Sequence, residues 1–336
     1  MTIDSFRFEW LRATSRLPGK ALSLWRARWR PSLRIGCGCL LALVWVSAYG
    51  GDAIAVVYPD IGEPYRDIFA RIIEGIEQRS RVPVRSFPIG PNVEVADLNA
   101  QLKRSGIKVV IALGRQGMKA ATGLDRDIAV VVGCVLSVPE GESRNLSGIN
   151  LTPDPALLFA RLKNLSPGVK KVIVVYDPKY NEWLIKLARE AALAQGLELV
   201  AYEARDLATA VRLYETAFAN IDRRTALWLP QDATTVEDGT ILPLVLRASW
   251  SRGVTIFSSS FAHVKKGVLF ALYPNNLEMG RTLAAAAMGL LDGAPFKAGV
   301  VPLRAVQVAV NLRTASHIGL DIGDQQLAFD SVFPEP

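Results

Sequence analysis

Apolar positions follow two alternating rhythms along this chain. The run Ala53-Ile54-Ala55-Val56-Val57-Tyr58 stops at Pro59-Asp60 and gives way to Tyr65, Ile68, Phe69, Ile72, Ile73 and Ile76, spaced i, i+3, i+4, i+7, i+8 and i+11. The first pattern suits a strand covered on both faces, the second an amphipathic helix. The cadence restarts at Lys171-Val172-Ile173-Val174-Val175-Tyr176-Asp177-Pro178, so one α/β unit is expected to begin near 53 and a second near 170.

In the first unit, strands are predicted over 53–58, 82–88, 109–113 and 128–132, with helices from 65, over 93–103 and from 118. Segment 146–153 is read as a crossing between lobes, followed by a helix to 165. The second unit has strands over 197–202, 226–229 and 254–257 after its opening strand. Its helices end at Gly196, a natural residue to follow a helix C-terminus, at 219 and at 250. Segment 268–274 is read as a second crossing, the Ala-rich 278–291 as a helix returning to the first lobe, and 306–312 as a late strand followed by a short helix through 317. The alternation predicts the α/β class, with two doubly wound parallel-sheet lobes joined by several crossovers and a cleft between them. The expected division is 1–50 leader, 51–148 with 274–303 first lobe, 149–273 with 304–322 second lobe, and 323–336 tail.

The net charge of +7 on 336 residues changes little once it is located. Residues 1–50 carry eight basic and two acidic side chains, or +6, which leaves only +1 for the rest. The basicity therefore belongs to the leader and does not mark nucleic-acid binding. Arg26, Arg28, Arg30 and Arg34 precede an apolar run over 35–49, with small residues at Ser47, Ala48, Gly50 and Gly51. That is the layout of an export signal cut after Ala48 or Gly50, and the run is shorter than the roughly 17–25 residues of a spanning helix. The basic stretch is longer than in a typical signal of about 15–30 residues, so either the start lies downstream of Met1 or the segment stays as an uncleaved anchor. The expected location is periplasmic, with an inner-membrane anchor as the alternative. Cys37 and Cys39 lie in the leader, which makes Cys134 the one thiol of the exported part. No internal disulfide is then available, and the apolar setting of Cys134 makes it a small buried hydrophobe. His263 and His317 are the only histidines and lie far apart, so no metal set or cofactor is expected.

The second half carries Val174-Val175-Tyr176-Asp177-Pro178, Leu229-Pro230-Gln231-Asp232, Phe257-Ser258-Ser259-Ser260, Val264-Lys265-Lys266-Gly267, Glu278-Met279-Gly280-Arg281 and Val310-Asn311-Leu312-Arg313-Thr314-Ala315. In this order and spacing, over roughly 53–322, the chain resembles the exported substrate-binding proteins of ABC importers, in the family whose better-known members take up tryptophan and other aromatic amino acids. The resemblance implies a type I periplasmic-binding-protein fold that closes on a ligand, with a small-molecule solute and the importer's membrane subunits as partners, a monomer, and no nucleic acid. It also exposes departures. The turn after the third strand, usually small and hydroxylated and a holder of the ligand carboxylate, is Gly114-Arg115-Gln116 here. The family's acidic pair after the late second-lobe strand is replaced by Ser259 and Ser260.

In open α/β sheets, ligands sit beyond the carboxyl ends of strands, which nominates Tyr58, Asp60, Arg115, Gln116, Cys134, Tyr176, Tyr180, Asn181, Gln231, Asp232, Ser259 and Ser260. Arg115, at a helix N-terminus, is suited to grip a carboxylate or phosphate by paired hydrogen bonds, or else it pairs with an acid such as Asp60. Asp232 is placed to receive a ligand ammonium or to cap the following helix. The tyrosines are candidates for stacking or for packing, and the serines for donating hydrogen bonds or forming a polar turn. Gly114-Arg115-Gln116-Gly117 lacks the third glycine of a dinucleotide fingerprint, and no nucleophile-elbow glycines surround the serines near His263. No acid, base and nucleophile come together, so no enzyme is expected. A basic DNA-binding head is excluded because 1–34 is too short to hold its own core. A membrane-tethered sensor or accessory protein remains the alternative to an importer's binding protein.

Overall fold

The computed structural model describes residues 52–63, 65–136, 146–219, 221–322 and 328–334. The leader expected over 1–50 lies outside them. Two sheets organise the described chain. The first is all parallel, in the order β11-β5-β4-β3-β1-β2. Its strands are β1 (Ala53–Pro59), β2 (Val84–Ile89), β3 (Ile107–Leu113), β4 (Ala129–Val135), β5 (Ser147–Pro153) and β11 (Gly299–Leu303). The second runs β13-β12-β10-β9-β8-β6-β7. It is built from β6 (Lys171–Tyr176), β7 (Glu198–Glu203), β8 (Thr225–Leu229), β9 (Thr255–Ser258), β10 (Phe270–Pro274), β12 (Val306–Asn311) and β13 (Ser331–Phe333), and only the β10–β12 pair is antiparallel.

Continuous apolar strands form because both faces of each sheet are covered. In β1, Ala53, Ala55 and Val57 point to a core that includes helices α2 (Val95–Arg104) and α3 (Gly114–Ala121). Ile54 and Val56 point the other way, to α1 (Tyr65–Arg79) and α9 (Asn276–Leu291). In β6, Val172 and Val174 face α4 (Pro155–Leu165) and α5 (Pro178–Ala194), while Ile173 and Val175 face α6 (Leu207–Ala219) and α7 (Ile241–Arg252). Two short helices, α8 (Phe261–Lys266) and α10 (Leu312–His317), follow β9 and β12. A chain of rings, Phe159, Trp228, Phe257 and Phe270, fills the middle of the second sheet's core at centroid spacings of 5.3 to 6.5 Å.

Most strands and helices fall close to the expected ranges; β11, β13 and α8 answer to no expected element, and two segments are corrected. Segment 146–153 is not a crossing but strand β5, inside the first sheet. Its inward positions are Gly148, Asn150 and Thr152, an inversion of the usual apolar signal. Gly148 is needed there because a Cβ would stand 2.1 Å from the Val132 carbonyl oxygen, and Asn150 Oδ1 accepts the Thr152 N–H at 3.0 Å. Likewise 268–274 contributes β10 to the second sheet before the chain crosses. Within the segment read as a tail, β13 pairs with β12. The chain passes between the sheets after Pro153, after Pro274 and after Leu303. These passages are bound to one another. Asp154 N–H donates to Leu303 O and Asn275 N–H to Ala305 O, each at 2.9 Å, and Arg304 pairs with Asp154. Among the described residues no helix is long and apolar enough to cross a membrane.

Helices α1 and α9 approach at two glycines. A Cβ on Gly75 would lie 2.0 Å from Leu277 O, and one on Gly280 would lie 2.0 Å from Ile72 O. The backbones touch directly, which explains the glycine of the Glu278-Met279-Gly280-Arg281 motif. Gly280→Ala is expected to cost about 1–3 kcal/mol as an overpacking defect, despite alanine's intrinsic advantage of roughly 0.5–1 kcal/mol within a helix. A lower urea midpoint with an unchanged denaturant slope would show it; a midpoint at or above the parent's would mean the helices part freely.

Candidate functional site

The carboxyl ends of β1, β3 and β4 face those of β8 and β9 across a cleft of about 1170 Å³. Gly114 turns the end of β3 directly into α3 with φ +70. Gly117 lets the first turn of that helix lie on β1, since a Cβ would sit 2.8 Å from Val57 O. This seats Arg115 and Gln116 on the cleft wall. Arg115 is exposed and makes no hydrogen bond or ion pair among the described residues, Asp60 included. Leu113, the residue before α3, gives the helix no side-chain cap, so its first-turn N–H groups are open to an anion.

Cys134 lines the same wall at the end of β4 and has φ 58, a left-handed conformation uncommon outside glycine. Burial pushes its thiol up to about 12. The group stays a neutral, weakly polar surface at physiological pH rather than a nucleophile.

The opposite wall comes from Gln231, Ser259, Ser260, Phe261 and Ala262. Gln231 Oε1 is shielded from solvent and has no hydrogen-bond partner among the described residues. Ser259 is fully buried, and its Oγ accepts the indole N–H of Trp228 at 3.2 Å, so the core tryptophan's one polar atom holds the cleft serine. Beneath it, Ser258 Oγ lies 2.8 Å from His263 Nδ1, 3.1 Å from the Leu229 carbonyl, and 3.0 Å from Ser260 N, whose N–H it accepts. His263 Nε2 faces an Asp238 carboxylate oxygen at 3.3 Å. A carboxylate there favours the proton on Nε2, so the unprotonated Nδ1 and the Leu229 carbonyl compete for the one Ser258 hydroxyl proton. The serine is sealed at 0% exposure, so the Ser–His–Asp order positions the turn and reaches no substrate.

The other residues nominated from the strand ends lie outside this lining. Tyr58 and Asp60 line a separate depression with Ile73, Glu74 and Pro88, and the Tyr58 ring sits 6.2 Å from that of Phe69. Tyr176 is buried, with its hydroxyl 3.2 Å from Glu182 and 3.3 Å from Glu203; burial first, and then those acids, push its ionisation up. Tyr180 is exposed, with Lys179 Nζ 5.2 Å from its ring centroid. Asn181 and Asp232 are buried together. The Asp232 carboxylate accepts from Asp177 N at 2.7 Å, Asn181 Nδ2 at 2.9 Å, Thr234 N at 2.9 Å and Thr235 N at 3.1 Å. Four donors occupy its lone pairs, so it holds the loop together and has no room for a ligand ammonium.

The cleft also contains apolar side chains that strand-end reasoning missed. Tyr65, Ile68, Phe69, Leu136 and Leu151 come from the first lobe, and Phe261 and Tyr273 from the second, their rings 4.7 Å apart. The one available signal was the aromatic residue directly after Ser258-Ser259-Ser260. Among the described lining residues Arg115 is the only charged side chain.

The family model for ABC transporter substrate binding proteins matches residues 89–330. Among solved structures, an ABC domain in complex with L-Trp from Streptococcus pneumonia is 18% identical, with TM-score 0.52 over 84% of this chain and 100% of that one. A conserved domain protein from Vibrio cholerae is 17% identical, with TM-score 0.51 over 83% and 99%. The ligand-free, open form of a substrate-binding protein with adhesive properties from Clostridium difficile is 14% identical, with TM-score 0.61 over 83% and 98%. No curated protein matches the chain.

Two outcomes follow for the second wall. Asp232→Ala strands four donors, at about 1–3 kcal/mol for each that stays buried without a partner. A loss of about 3 kcal/mol or more in unfolding free energy is therefore expected without any ligand present; a variant as stable as the parent would show the carboxylate free for other work. Burial lowers the His263 pKa, so in acid the unfolded chain takes up the imidazole proton before the folded one. The imidazole's contribution is whole above about pH 6.5 and is lost as the pH falls through the depressed folded value. Midpoints measured from pH 8 to 5 should fall on the acid side, and His263→Gln should flatten that part of the curve.

Proposed function

Since the chain belongs to the ABC transporter substrate-binding protein family, we propose that it is an exported monomeric binding protein that captures a small solute between two closing lobes and delivers it to an ABC importer. The observation that carries this reading is the cleft itself, whose walls come from different sheets that the described chain links through three short, mutually hydrogen-bonded passages. Few backbone angles need change there for the sheets to approach, which is how hinge closure works. A solute touching both walls favours the closed form, and that form is the one an importer's membrane subunits recognise. The L-Trp of the Streptococcus structure is not carried over, because likeness at 18% identity extends to the fold alone.

The long basic stretch ahead of the apolar run supports a second reading, in which the leader stays in the inner membrane and the same lobes serve a tethered sensor or accessory protein. Mass spectrometry of the exported protein's N-terminus separates the two: a start near Gly51 indicates release into the periplasm.

Closure is tested by small-angle scattering on the full chain, with any solute that raises its thermal midpoint in a library of amino acids, carboxylates, nucleobases and sugars. The expected outcome is a smaller radius of gyration on saturation. A bound solute that produces no compaction, whatever its class, would sink the closing-lobe reading.

A further inference from the structure

The aromatic part of the second wall continues behind the cleft, which matters for binding if the cleft is a solute site as just proposed. Phe261 and Tyr273 line the cleft, with ring centroids 4.7 Å apart. On its far side Phe261 meets a third ring, Phe333 of β13, at 5.5 Å and an interplanar angle of 67°. The three rings pack against Val264, Ala271 and Ala309, a small apolar cluster of its own. Strand register explains the assembly. Ala309 of β12 stands opposite Ala271 of β10 on one side and Ser331 of β13 on the other. Alternate residues of a strand share a face, so Tyr273 and Phe333 join them there.

Helix α8 spans six residues, too few to hold a helix on their own, so its neighbours must fix it. Hydrogen bonds anchor its later residues and the turn that follows. Ser258 Oγ lies 2.8 Å from His263 Nδ1, Asn311 Nδ2 donates to Val264 O at 2.9 Å, and Thr314 Oγ1 donates to Gly267 O at 2.8 Å. At Phe261, the first residue, the side chain is gripped by rings and by Lys265. The Lys265 Nζ stands 5.2 Å from the Phe261 centroid and 5.4 Å from that of Phe333, so one ammonium ties both rings together. Tyr273 is held at its other end, with its hydroxyl 3.0 Å from Ser331 Oγ. Both cleft rings therefore lean on the same three-residue strand, and neither Ser331 nor Phe333 lines the cleft.

We propose that β13 is a positioning element of the binding site. Phe333 and Ser331, without touching a solute, set the orientation of the two rings that the second lobe presents to it. An aromatic ring offers a ligand a defined face or edge only while its own side-chain angles are fixed. For Phe261 and Tyr273, contacts that fix those angles come from the C-terminal strand. Residues 331–333 thereby take part in choosing which apolar bodies fit the wall.

The test places 4-fluorophenylalanine at position 261 of the full chain and follows its fluorine resonance with no solute present. Phe333→Leu keeps most of the apolar volume and removes the ring. It should change the rotamer populations at 261 by about 2- to 10-fold, the range that one aromatic contact supports, and so displace or split the resonance. Phe333→Tyr restores the ring and should restore the parent line. Ser331→Ala, read through 3-fluorotyrosine at position 273, should release that ring in the same way, with Ser331→Thr recovering it. A purely scaffolding strand predicts a different result: a lower unfolding midpoint, with both resonances at their parent positions while the protein is folded. That result would overturn the proposal. If Phe333→Leu does not fold, Lys265→Met removes the shared cation and keeps the stem, and the 261 resonance is read in its place; an unmoved line there overturns the proposal equally. None of these outcomes touches the broader reading, which is decided by compaction with a bound solute.

Discussion

An ionised carboxylate withdrawn from water must be met by donors on every side, and Asp232 meets that demand from four directions. Its partners come from the end of β6, from the first turn of α5 and from its own loop after β8, so one side chain ties three separate pieces of chain into a single wall. Thr235 extends the tie to the Val175 carbonyl and Thr234 to the Asp177 carboxylate. Gln231, one residue upstream, inherits its position from this arrangement. The first lobe solves the same problem by the opposite means. At the end of β3 the absence of a side chain at Gly114 and Gly117 brings the turn of α3 down onto β1, and Arg115 there has no ion pair among the described residues. One wall is held by a satisfied buried anion, the other by close backbone contact.

Much of the fold was legible because both sheets are covered on both faces. That covering makes runs such as Ala53 to Tyr58 and Val172 to Tyr176 apolar throughout, and a run of that kind has few other interpretations. The motifs that carry the family resemblance were also legible, but their work differs from what a ligand-centred reading assigns them. Asp177 caps α5 through the Lys179 N–H, with Pro178 in the first turn. Asn311 caps α10 and reaches back to Val264 O, while Thr314 bonds Gly267 O, so two motifs far apart in sequence close on each other. Gly280 is the contact point of two helices. These residues are joints of the scaffold, and a joint constrains residue type as strictly as a ligand does.

The parts that stayed hidden share a cause. Strand β5 buries Gly148, Asn150 and Thr152, so its polar residues face inward and its period gives no apolar signal. The lining of the cleft depends on which strand ends and helix starts face each other across the gap, and that is a property of the crossings, not of any local window. Strand-end topology nominates Arg115, Gln116, Gln231, Ser259 and Ser260, and these line the cleft. It could not separate them from Tyr176, Asn181 and Asp232, which end or follow equivalent strands but turn into the protein. Their burial partners, Glu182 and Glu203 for Tyr176 and Asp232 for Asn181, are set by tertiary packing alone.

The separation of the polar groups across the cleft bears on how binding and motion are linked. A solute shifts an equilibrium between open and closed lobes only by the difference in its affinity for the two. A molecule held by Arg115 alone would satisfy its charge equally well with the lobes apart, and it would bind without closing anything. The second contact must come from the facing lobe, and it must be one that is incomplete until the lobes meet. The facing wall offers Gln231, Ser260 and Phe261 for such a contact. On the reading proposed here, the drive to close rests on groups contributed by both walls. Contacts made equally well in both forms add affinity alone; only those completed by closure couple that affinity to movement.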